Sequence, residues 1–348
     1  DLGVVRPVAM IPEGNLPVVS VCIANYNGEK IVADSIESVL RQRDAPPFEI
    51  LVHDDASTDN SLGIIEQYES VRLIKSSENV GFCVSNNRMA AESRGKFILL
   101  LNNDAQLFPD ALASLLNQSR RHAHKAILGL PQYDFATKAL VDYGLKLDYF
   151  GSTVPIRKPA RSDVAMVIGA CMWVPADLWR SSGGFPEWFE TNAEEVYLCC
   201  YARLLGFKIY VHEESGFLHM IGHSLGGGKA TAHSLTISVQ RRYFSERNRL
   251  FIQWLFYPLW LIPITTAANL IVLIVEALLL AIANRKASLI RDIYIRSQRD
   301  ALSMLETLRP ARSTAMGSRE ISFLKFFGRF TFIPQKLRLL FSAGLPRS

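Results

Sequence analysis

Short apolar runs alternate with helical patterns along the first third of the chain. The runs occupy residues 18–24, 48–52, 71–74 and 97–101. Their length and unbroken apolar character are typical of buried parallel strands. Segments with the apolar spacing or the start signals of helices lie at residues 31–41, 61–68, 81–93 and 109–121. Strands that alternate with helices predict a right-handed, mostly parallel α/β sheet.

Polar clusters follow three of these runs, each where a predicted strand ends. The clusters are centred on Asn25, Asp54 and Asp104. Open α/β sheets bind ligands at the carboxyl edge of their strands. We therefore expect the three clusters to meet in one crevice.

The pattern loosens after residue 125. We predict a strand over residues 164–174, a helix over residues 194–205 and a strand over residues 207–211. With 348 residues, 49% of them hydrophobic, the chain can form one large domain with an appendage, or two domains.

Residues 250–283 form a strongly apolar stretch that is long enough to cross a bilayer, which takes about 20 apolar residues. Pro258 and Pro263 interrupt its first half, so we expect interfacial or re-entrant helices rather than a clean span. Residues 321–340 mix Phe and Leu with Lys and Arg, a pattern typical of a membrane surface. A helical dimer interface is the alternative for that segment.

Charge is divided unevenly along the chain. The whole sequence has a net charge of +5, but residues 285–348 contain 13 lysines and arginines and four acidic residues, a net +9. Residues 1–284 therefore carry a net −4. A basic tail beside an apolar stretch favours an anionic membrane surface, and we expect no nucleic-acid partner.

The cysteines and the start of the chain bear on its compartment. The five cysteines are odd in number and include no CxxC pair, which indicates reduced, mostly buried thiols of a cytosolic domain. Residues 1–17 lack the basic start and apolar run of a secretory signal. The sequence begins at Asp1 rather than Met, which suggests a trimmed fragment.

The ordered motifs resemble those of the family 2 glycosyltransferases with the GT-A fold, especially bacterial rhamnosyltransferase-like members. The resemblance is carried by residues 20–27, 54–59, 79–82, 86–87, 101–104, 183–185, 194–195, and by residue 219 with residues 222 and 224. It covers roughly residues 17–250, and an ordered set of motifs is more specific than any single one.

The resemblance implies an architecture and an activity. It divides the chain into an N-terminal extension (1–16), a GT-A, Rossmann-like domain (17–249) and a membrane-associated helical region with a basic amphipathic tail (250–348). It implies an inverting transfer of a sugar, rhamnose or another hexose, from a nucleoside diphosphate sugar to a glycan or polyprenyl-linked acceptor. The implied location is the cytoplasmic face of the bacterial inner membrane.

The resemblance also implies a set of nucleotide-sugar-binding residues. They are Asn25, Tyr26, Asn27, Asp54, Asp55, Gly81, Asn86, Asn87, Asn103, Asp104 and Lys229. A carboxylate at Asp54 or Asp55 can accept the N3–H of a uracil or thymine ring, although an Asx turn that caps the next helix explains the same residues. Lys229 ends a glycine-rich loop that could close over a diphosphate, and an ordinary loop is the alternative.

Asp104 and His219 are the implied ligands of Mn²⁺ or Mg²⁺, with His223 as a second candidate. A divalent cation neutralises the charge that grows on a departing diphosphate, and hard cations prefer oxygen ligands. The family's acidic motif is reduced here to Asn102, Asn103 and Asp104, with a single carboxylate. A surface turn with an unrelated histidine is the alternative.

Glu194 and Glu195 stand where the family has its acceptor site and its general base. The resemblance makes Glu195 the base that takes the acceptor proton, with Glu194 orienting the acceptor or its neighbours. The family's usual Glu-Asp pair is Glu-Glu here. Acidic residues in a first helical turn also favour the helix dipole without any catalytic role.

Two other functions fit parts of the pattern. A sugar nucleotidyltransferase would require a glycine-rich basic loop after the first strand, where this chain has only Lys30. A catalytically inactive nucleotide-sugar-binding membrane protein would not need the acids Glu194 and Glu195.

Overall fold

The computed structural model describes residues 16–159, 163–220, 228–231, 234–336 and 338. Its strands are β1 (Val19–Asn25), β2 (Phe48–Asp54), β3 (Val71–Lys75), β4 (Phe97–Asn102), β5 (Ala105–Leu107), β6 (Ala126–Gly129), β7 (Gln132–Asp134), β8 (Leu140–Asp142), β9 (Leu145–Asp148), β10 (Thr153–Pro155), β11 (Cys171–Pro175), β12 (Lys208–Val211), β13 (Phe217–His219), β14 (Gly228–Thr231), β15 (Ser234–Ile237) and β16 (Phe330–Thr331).

Its helices are α1 (Val32–Leu40), α2 (Ser61–Ile65), α3 (Phe82–Glu92), α4 (Ala111–Arg121), α5 (Ala176–Ser182), α6 (Glu194–Leu204), α7 (Val239–Phe256), α8 (Leu261–Asn284), α9 (Arg296–Ser303), α10 (Leu305–Gly317) and α11 (Phe323–Phe327). A 3₁₀ turn covers Glu187–Phe189, and a π-helical turn covers Ile290–Ile295.

The central sheet has the strand order β12-β6-β11-β4-β1-β2-β3. Strands β1 to β4 are parallel, β6 is parallel to β12, and β11 runs antiparallel to both of its neighbours. The predicted mostly parallel α/β sheet is therefore confirmed. Strand β1 is buried on both faces: Val21 and Ile23 join the core on one side and Cys22 joins the core on the other.

The less regular second half departs from the sequence prediction. The strand predicted over residues 164–174 is wrong for its first part, because the chain turns at Gly169 and Ala170 and only Cys171–Pro175 pairs in the sheet. Strands β6 to β10 have three or four residues each, too few to produce a periodic pattern in the sequence.

Helix α7 passes through the domain boundary that the sequence suggests at residue 249. Its residues Phe251, Ile252, Leu255 and Phe256 are buried in the same core as α6. The first C-terminal helix is thus packed into the α/β body.

Helix α8 is continuous over 24 residues, so the interruption expected at Pro263 is wrong. Pro263 lies in the first turn of the helix, where a proline leaves no required hydrogen bond unmade. Among the residues that the structure describes, α8 is the one helix long and apolar enough to cross a membrane, with a mean hydropathy of 2.3.

The segment after residue 320 packs partly against the body. Phe326 is fully buried in the main core, and Arg329 contacts Asp163 at 2.7 Å. Leu324 and Phe332 remain exposed. The five cysteines are all buried and free, as predicted.

Candidate active site

The polar clusters at the strand ends meet, as expected. Strands β1 and β2 pair so that Asn25 lies opposite Asp54, and the Asn25 amide donates to Asp54 Oδ1 at 2.9 Å. The Asn103 amide donates to Asn25 Oδ1, also at 2.9 Å. Asn25 is buried. Through these two hydrogen bonds it joins the loops after β1, β2 and β4 at the carboxyl edge of the sheet.

Asp54 and Asp55 both accept hydrogen bonds from the protein. Asp54 accepts from the amide and the hydroxyl of Ser57 at 3.1 and 2.7 Å, which is the Asx turn considered above. Asp55 accepts from the backbone amides of Val80 and Gly81 at 2.7 and 2.8 Å. The two buried carboxylates therefore shape the loops around the strand ends.

Tyr26 and Asn27 lie at the rim of this cluster. The side-chain oxygen of Asn27 accepts from the backbone amide of Thr58 at 2.8 Å, and the backbone N–H of Asn27 donates to Ser57 Oγ at 2.9 Å. The Tyr26 side chain is half exposed. The cluster thus has a buried polar floor and an accessible aromatic ring beside it.

Asn86 and Asn87 hold backbone in place. Asn86 donates to the Phe82 carbonyl within α3. The Asn87 side chain donates to the Phe185 carbonyl at 2.8 Å and accepts from the Phe185 amide at 2.9 Å. A Cβ at Gly184 would lie 2.4 Å from Asn87 Oδ1, so this turn requires glycine. Both asparagines have a structural role that the sequence did not reveal.

Asp104 and His219 are neighbours although 115 positions separate them in the chain. Asp104 lies in the turn between β4 and β5, and β13 pairs with β5 so that His219 is opposite Ala105. His219 Nε2 is 3.2 Å from Asp104 Oδ1, an oxygen that is buried and makes no hydrogen bond. The Gln132 amide lies 3.0 Å from the other ring nitrogen, Nδ1.

This pair suits a hard divalent cation. A buried carboxylate oxygen without a donor needs a positive partner, and an imidazole nitrogen beside it is a suitable second ligand. No third His, Cys, Asp or Glu joins them in the described part of the chain. His223, the second candidate ligand, lies outside the described residues, as do Gly222 and Ser224.

Glu194 and Glu195 open helix α6, and the Oε2 atom of each is buried without a hydrogen-bond partner. Burial raises the pKa of both carboxyls, and the charge of Glu195 raises the pKa of Glu194 further. A hydrogen bond from protonated Glu194 lowers the pKa of Glu195. The two carboxyls therefore titrate as a coupled pair, with pKa values raised by burial.

The backbone leading into α6 is strained. Glu190, Asn192 and Ala193 have φ values of 62, 65 and 75°, a region that side-chain-bearing residues rarely adopt. Such a conformation persists only where surrounding contacts hold it. The acid pair follows directly, so these contacts determine where both carboxylates point.

Helix α7 provides the contacts. The buried Asn248 amide donates to the carbonyls of Phe189, Thr191 and Asn192 at 3.1, 2.7 and 2.6 Å. The adjacent Arg247 binds Glu190 Oε1 at 2.8 Å. Arg247 and Asn248 therefore join α7 to the loop before α6.

The acid pair adjoins the strand-end cluster across the start of α3. Cys83 Sγ lies 3.5 Å from the Glu190 carbonyl. Burial, and then the charges of Glu194 and Glu195, raise the pKa of the Cys83 thiol. Asp55 holds Gly81, immediately before α3, on the other side. Among the described residues, no hydrogen bond or ion pair connects the acid pair to Asp104 directly.

Lys229 belongs to β14, and its side chain lies outside the described part of the structure, so its predicted role stays a prediction. Asp142, which the sequence did not single out, is buried next to Gly144 and lines a small cavity with Gln132. Burial raises the pKa of Asp142 to about 6.

Comparisons with known proteins bear on this site. Residues 20–177 match the family model described as Glycosyl transferase family 2. A Bacillus subtilis (strain 168) protein provisionally named glycosyltransferase EpsE is 33% identical over 118 residues, 32% of this chain and 42% of the relative. The poly(ribitol-phosphate) beta-glucosyltransferase of Bacillus spizizenii is 25% identical over 58% of this chain and 32% of its own length. The chain thus spans less than half the length of these relatives.

A solved structure shares the fold. The crystal structure of GalNAc-T7 with UDP, GalNAc and Mn²⁺ superposes with a TM-score of 0.55 at 13% identity, covering 70% of this chain and 49% of that one. The sheet and the helices around it therefore form a GT-A-like fold.

Proposed function

Residues 20–177 form a glycosyl transferase family 2 domain, and on this premise we propose that the chain transfers a sugar from a nucleoside diphosphate sugar to an acceptor hydroxyl. The observation that carries the proposal is the buried Oδ1 of Asp104, which accepts no hydrogen bond and lies 3.2 Å from Nε2 of His219. It lies directly after Asn103, whose amide binds the strand-end cluster through Asn25. A cation-binding carboxylate next to a polar crevice suits a donor with a base, a sugar and a diphosphate.

Asp104 and His219 would hold Mn²⁺ or Mg²⁺ through one carboxylate oxygen and Nε2. The ion would neutralise the charge that develops on the departing diphosphate. The two side chains provide only part of a coordination sphere, and the diphosphate oxygens of the donor would complete it. GalNAc-T7, which has a related fold, binds UDP together with Mn²⁺.

The rest of the donor would occupy the crevice at the strand ends. The exposed ring of Tyr26 is available to stack against the base, and Asn27 fixes the loop that carries it. The carboxylates of Asp54 and Asp55 already accept two or more protein hydrogen bonds each. Their lone pairs allow one further donor, such as a uracil N3–H, without loss of the loop contacts.

Glu195 would act as the general base. A base near neutral pH works best when its pKa lies above the usual carboxyl range, and burial shifts Glu195 in that direction. Protonated Glu194 would donate to Glu195 and keep the second charge out of the buried site. Direct attack by the acceptor oxygen, with the diphosphate leaving on the far face, inverts the sugar carbon.

The acceptor class follows from the relatives and the apolar helix. Relatives of this chain include proteins named for poly(ribitol-phosphate) glucosylation, chondroitin synthesis and O-antigen biosynthesis. We infer a glycan or lipid-linked acceptor, and a place at the cytoplasmic surface of a bacterial inner membrane. Helix α8 and the basic tail provide the membrane contact.

A nucleotide-sugar screen tests the proposal. Purified protein is heated with UDP-, dTDP- and GDP-sugars, with and without Mn²⁺, and donor hydrolysis is measured in the same samples. We expect one nucleotide class to raise the Tm only when Mn²⁺ is present. Absence of both stabilisation and hydrolysis across the panel would refute a donor site, and stabilisation without turnover on any acceptor would indicate an inactive binding protein.

A further inference from the structure

Helices α7 and α8 form an antiparallel hairpin that is tied at two levels. The Thr265 hydroxyl donates to Gln253 Oε1 at 3.0 Å, close to the connection between the helices. Further along, Arg242 Nη1 lies 3.4 Å from Glu276 Oε1. The two ties are eleven residues apart on each helix, so α8 lies along α7 for about 16 Å.

The inner face of α8 meets charged groups at mid-length. Glu276 pairs with Arg242 of α7 and with Lys336 from the tail. Lys336 also contacts Glu246 of α7 at 2.8 Å. This network fixes α8 to the body of the protein in the middle of its most apolar part.

The outer face of α8 is apolar and uncovered. Its large side chains recur at intervals of three, four and seven residues and therefore share one side of the helix. The centre of this face is formed by Trp260, just before the helix, and by Ile264, Ile271, Ile274, Leu278 and Ile282, with exposures between 51 and 72%. The face extends over nearly the whole helix.

We propose that α8 lies flat in the interface of an anionic membrane, with this outer face in the lipid, and does not cross the bilayer. The inference rests on the membrane location proposed above and specifies its geometry. If α8 crossed the bilayer, the part of α7 that lies along it would enter the hydrocarbon together with Arg242 and Glu246. Charged groups are strongly disfavoured there. A crossing would also displace Arg247 and Asn248 of α7, which hold the acid loop, residues 189–193 before α6.

Charge favours a lipid surface over a second copy of the chain. Arg285 and Lys286 follow α8 directly and are exposed, and residues 285–348 carry a net +9. Such a segment is attracted to anionic headgroups. A second copy of the chain would bring the same basic segment, whereas an anionic membrane surface supplies the opposite charge.

The first test is flotation of the full chain with vesicles of phosphatidylcholine and phosphatidylglycerol. Ile271→Glu and Ile282→Glu should each lower the bound fraction about tenfold, since each places a charge on the exposed apolar face that is proposed to enter the lipid. Leu16→Glu is the matched control, because Leu16 is as exposed as Ile282 (73 and 72%) but precedes β1. Unchanged flotation of both α8 variants would overturn the assignment of this face.

The second test separates a flat helix from a span. Ala287→Cys, after the end of α8, is treated with a membrane-impermeant maleimide on intact vesicles, and the five native thiols are buried. Labelling equal to that of Asn117→Cys, an exposed position on α4, supports the flat arrangement. Protection of residue 287 until detergent is added would show a span and refute it.

Two controls complete the design. Sedimentation of the Ile271→Glu and Ile282→Glu proteins without lipid reports the alternative, because loss of a dimer would assign the face to a second copy. Donor stabilisation with Mn²⁺ should be unchanged in both variants. Failure of the membrane inference would therefore leave the donor site standing, and failure of donor binding would not affect the flotation result.

Discussion

The side-chain amide of Asn248 donates to the main-chain carbonyl of Asn192 at 2.6 Å, two residues before the acid pair. It makes this bond from a fully buried position on α7. Helix α7 therefore holds the backbone from which Glu194 and Glu195 follow. Asn248 is a positioning residue in this arrangement, because it does not itself reach the crevice at the strand ends.

Asn248→Asp should reduce turnover by about 10- to 100-fold, the effect of a small misplacement of a reacting group. The substitution keeps the shape but replaces a donor to three carbonyls with a carboxylate. Loss of such buried hydrogen bonds should also lower the free energy of unfolding by about 1–3 kcal/mol. The measurement is kcat alongside donor binding by thermal shift. Asn117→Ala, on the exposed face of α4, is the control. Equal loss of donor affinity and kcat would point to general damage instead.

Glu195→Gln should leave donor binding normal and lower turnover by about 10²–10⁴, the range for loss of a general base. Glu194→Gln is the matched isostere, and it should be mild because glutamine can donate to Glu195 as protonated Glu194 does. Because Glu195 must be ionised and burial raises its pKa, activity should fall on acidification at a pH above the usual carboxyl range. A pH–rate profile checks this. Swapped effects of the two variants would exchange the roles.

Asp104→Asn should abolish the Mn²⁺-dependent stabilisation by a nucleoside diphosphate, since an amide replaces the buried carboxylate. His219→Gln should weaken the stabilisation less, because the carboxylate remains. Thermal shift with UDP across a Mn²⁺ titration gives both values. Asp44→Asn, at an exposed position, is the charge-matched control. Full Mn²⁺ dependence in Asp104→Asn would exclude Asp104 from the metal site.

Asp142→Asn should stabilise the protein at alkaline pH. The pKa of Asp142 is about 6 in the fold against 3.8 for the ordinary side chain, so the native state holds the proton more tightly than the unfolded state. Stability contributed by this residue is then highest below pH 4 and falls as pH rises to about 6, by about 3 kcal/mol in all. Denaturant unfolding at pH 4 and pH 8 should show the variant equal to the parent at the lower pH and more stable at the higher. A constant difference would contradict the shifted pKa.

The sequence predicts the parts of this fold that have long, regular patterns. The apolar runs of β1, β2 and β4 are buried on both faces, whereas β3 at the edge of the sheet is only partly buried. The polar residues at the strand ends predicted the crevice. Asn25 and Asp54 face each other because parallel strands in register bring their carboxyl ends together.

The parts it does not predict depend on contacts between distant residues. Nothing in the local sequence shows that Asn87 binds the Phe185 backbone, or that Asn248 binds the loop before α6. Asp142 gives no signal either, because its pKa depends on burial between short strands. Asp55 is a candidate to bind the nucleotide base, and it also accepts a hydrogen bond from the Gly81 backbone amide, which only the three-dimensional structure reveals.

Helix α7 joins the proposed membrane contact to the loop before the acid pair. It contacts α8 through Arg242 and the acid loop through Asn248, so a single rigid helix separates the proposed lipid-facing surface from the proposed base. A flexible linker would allow Glu195 to sample a range of heights above the bilayer, whereas a rigid helix fixes one height. An acceptor anchored in the same leaflet would then be selected by the number of sugars between its anchor and its reactive hydroxyl. The chain should extend lipid-linked acceptors of one length and leave longer ones unmodified. Turnover on a series of acceptors of increasing length would measure this.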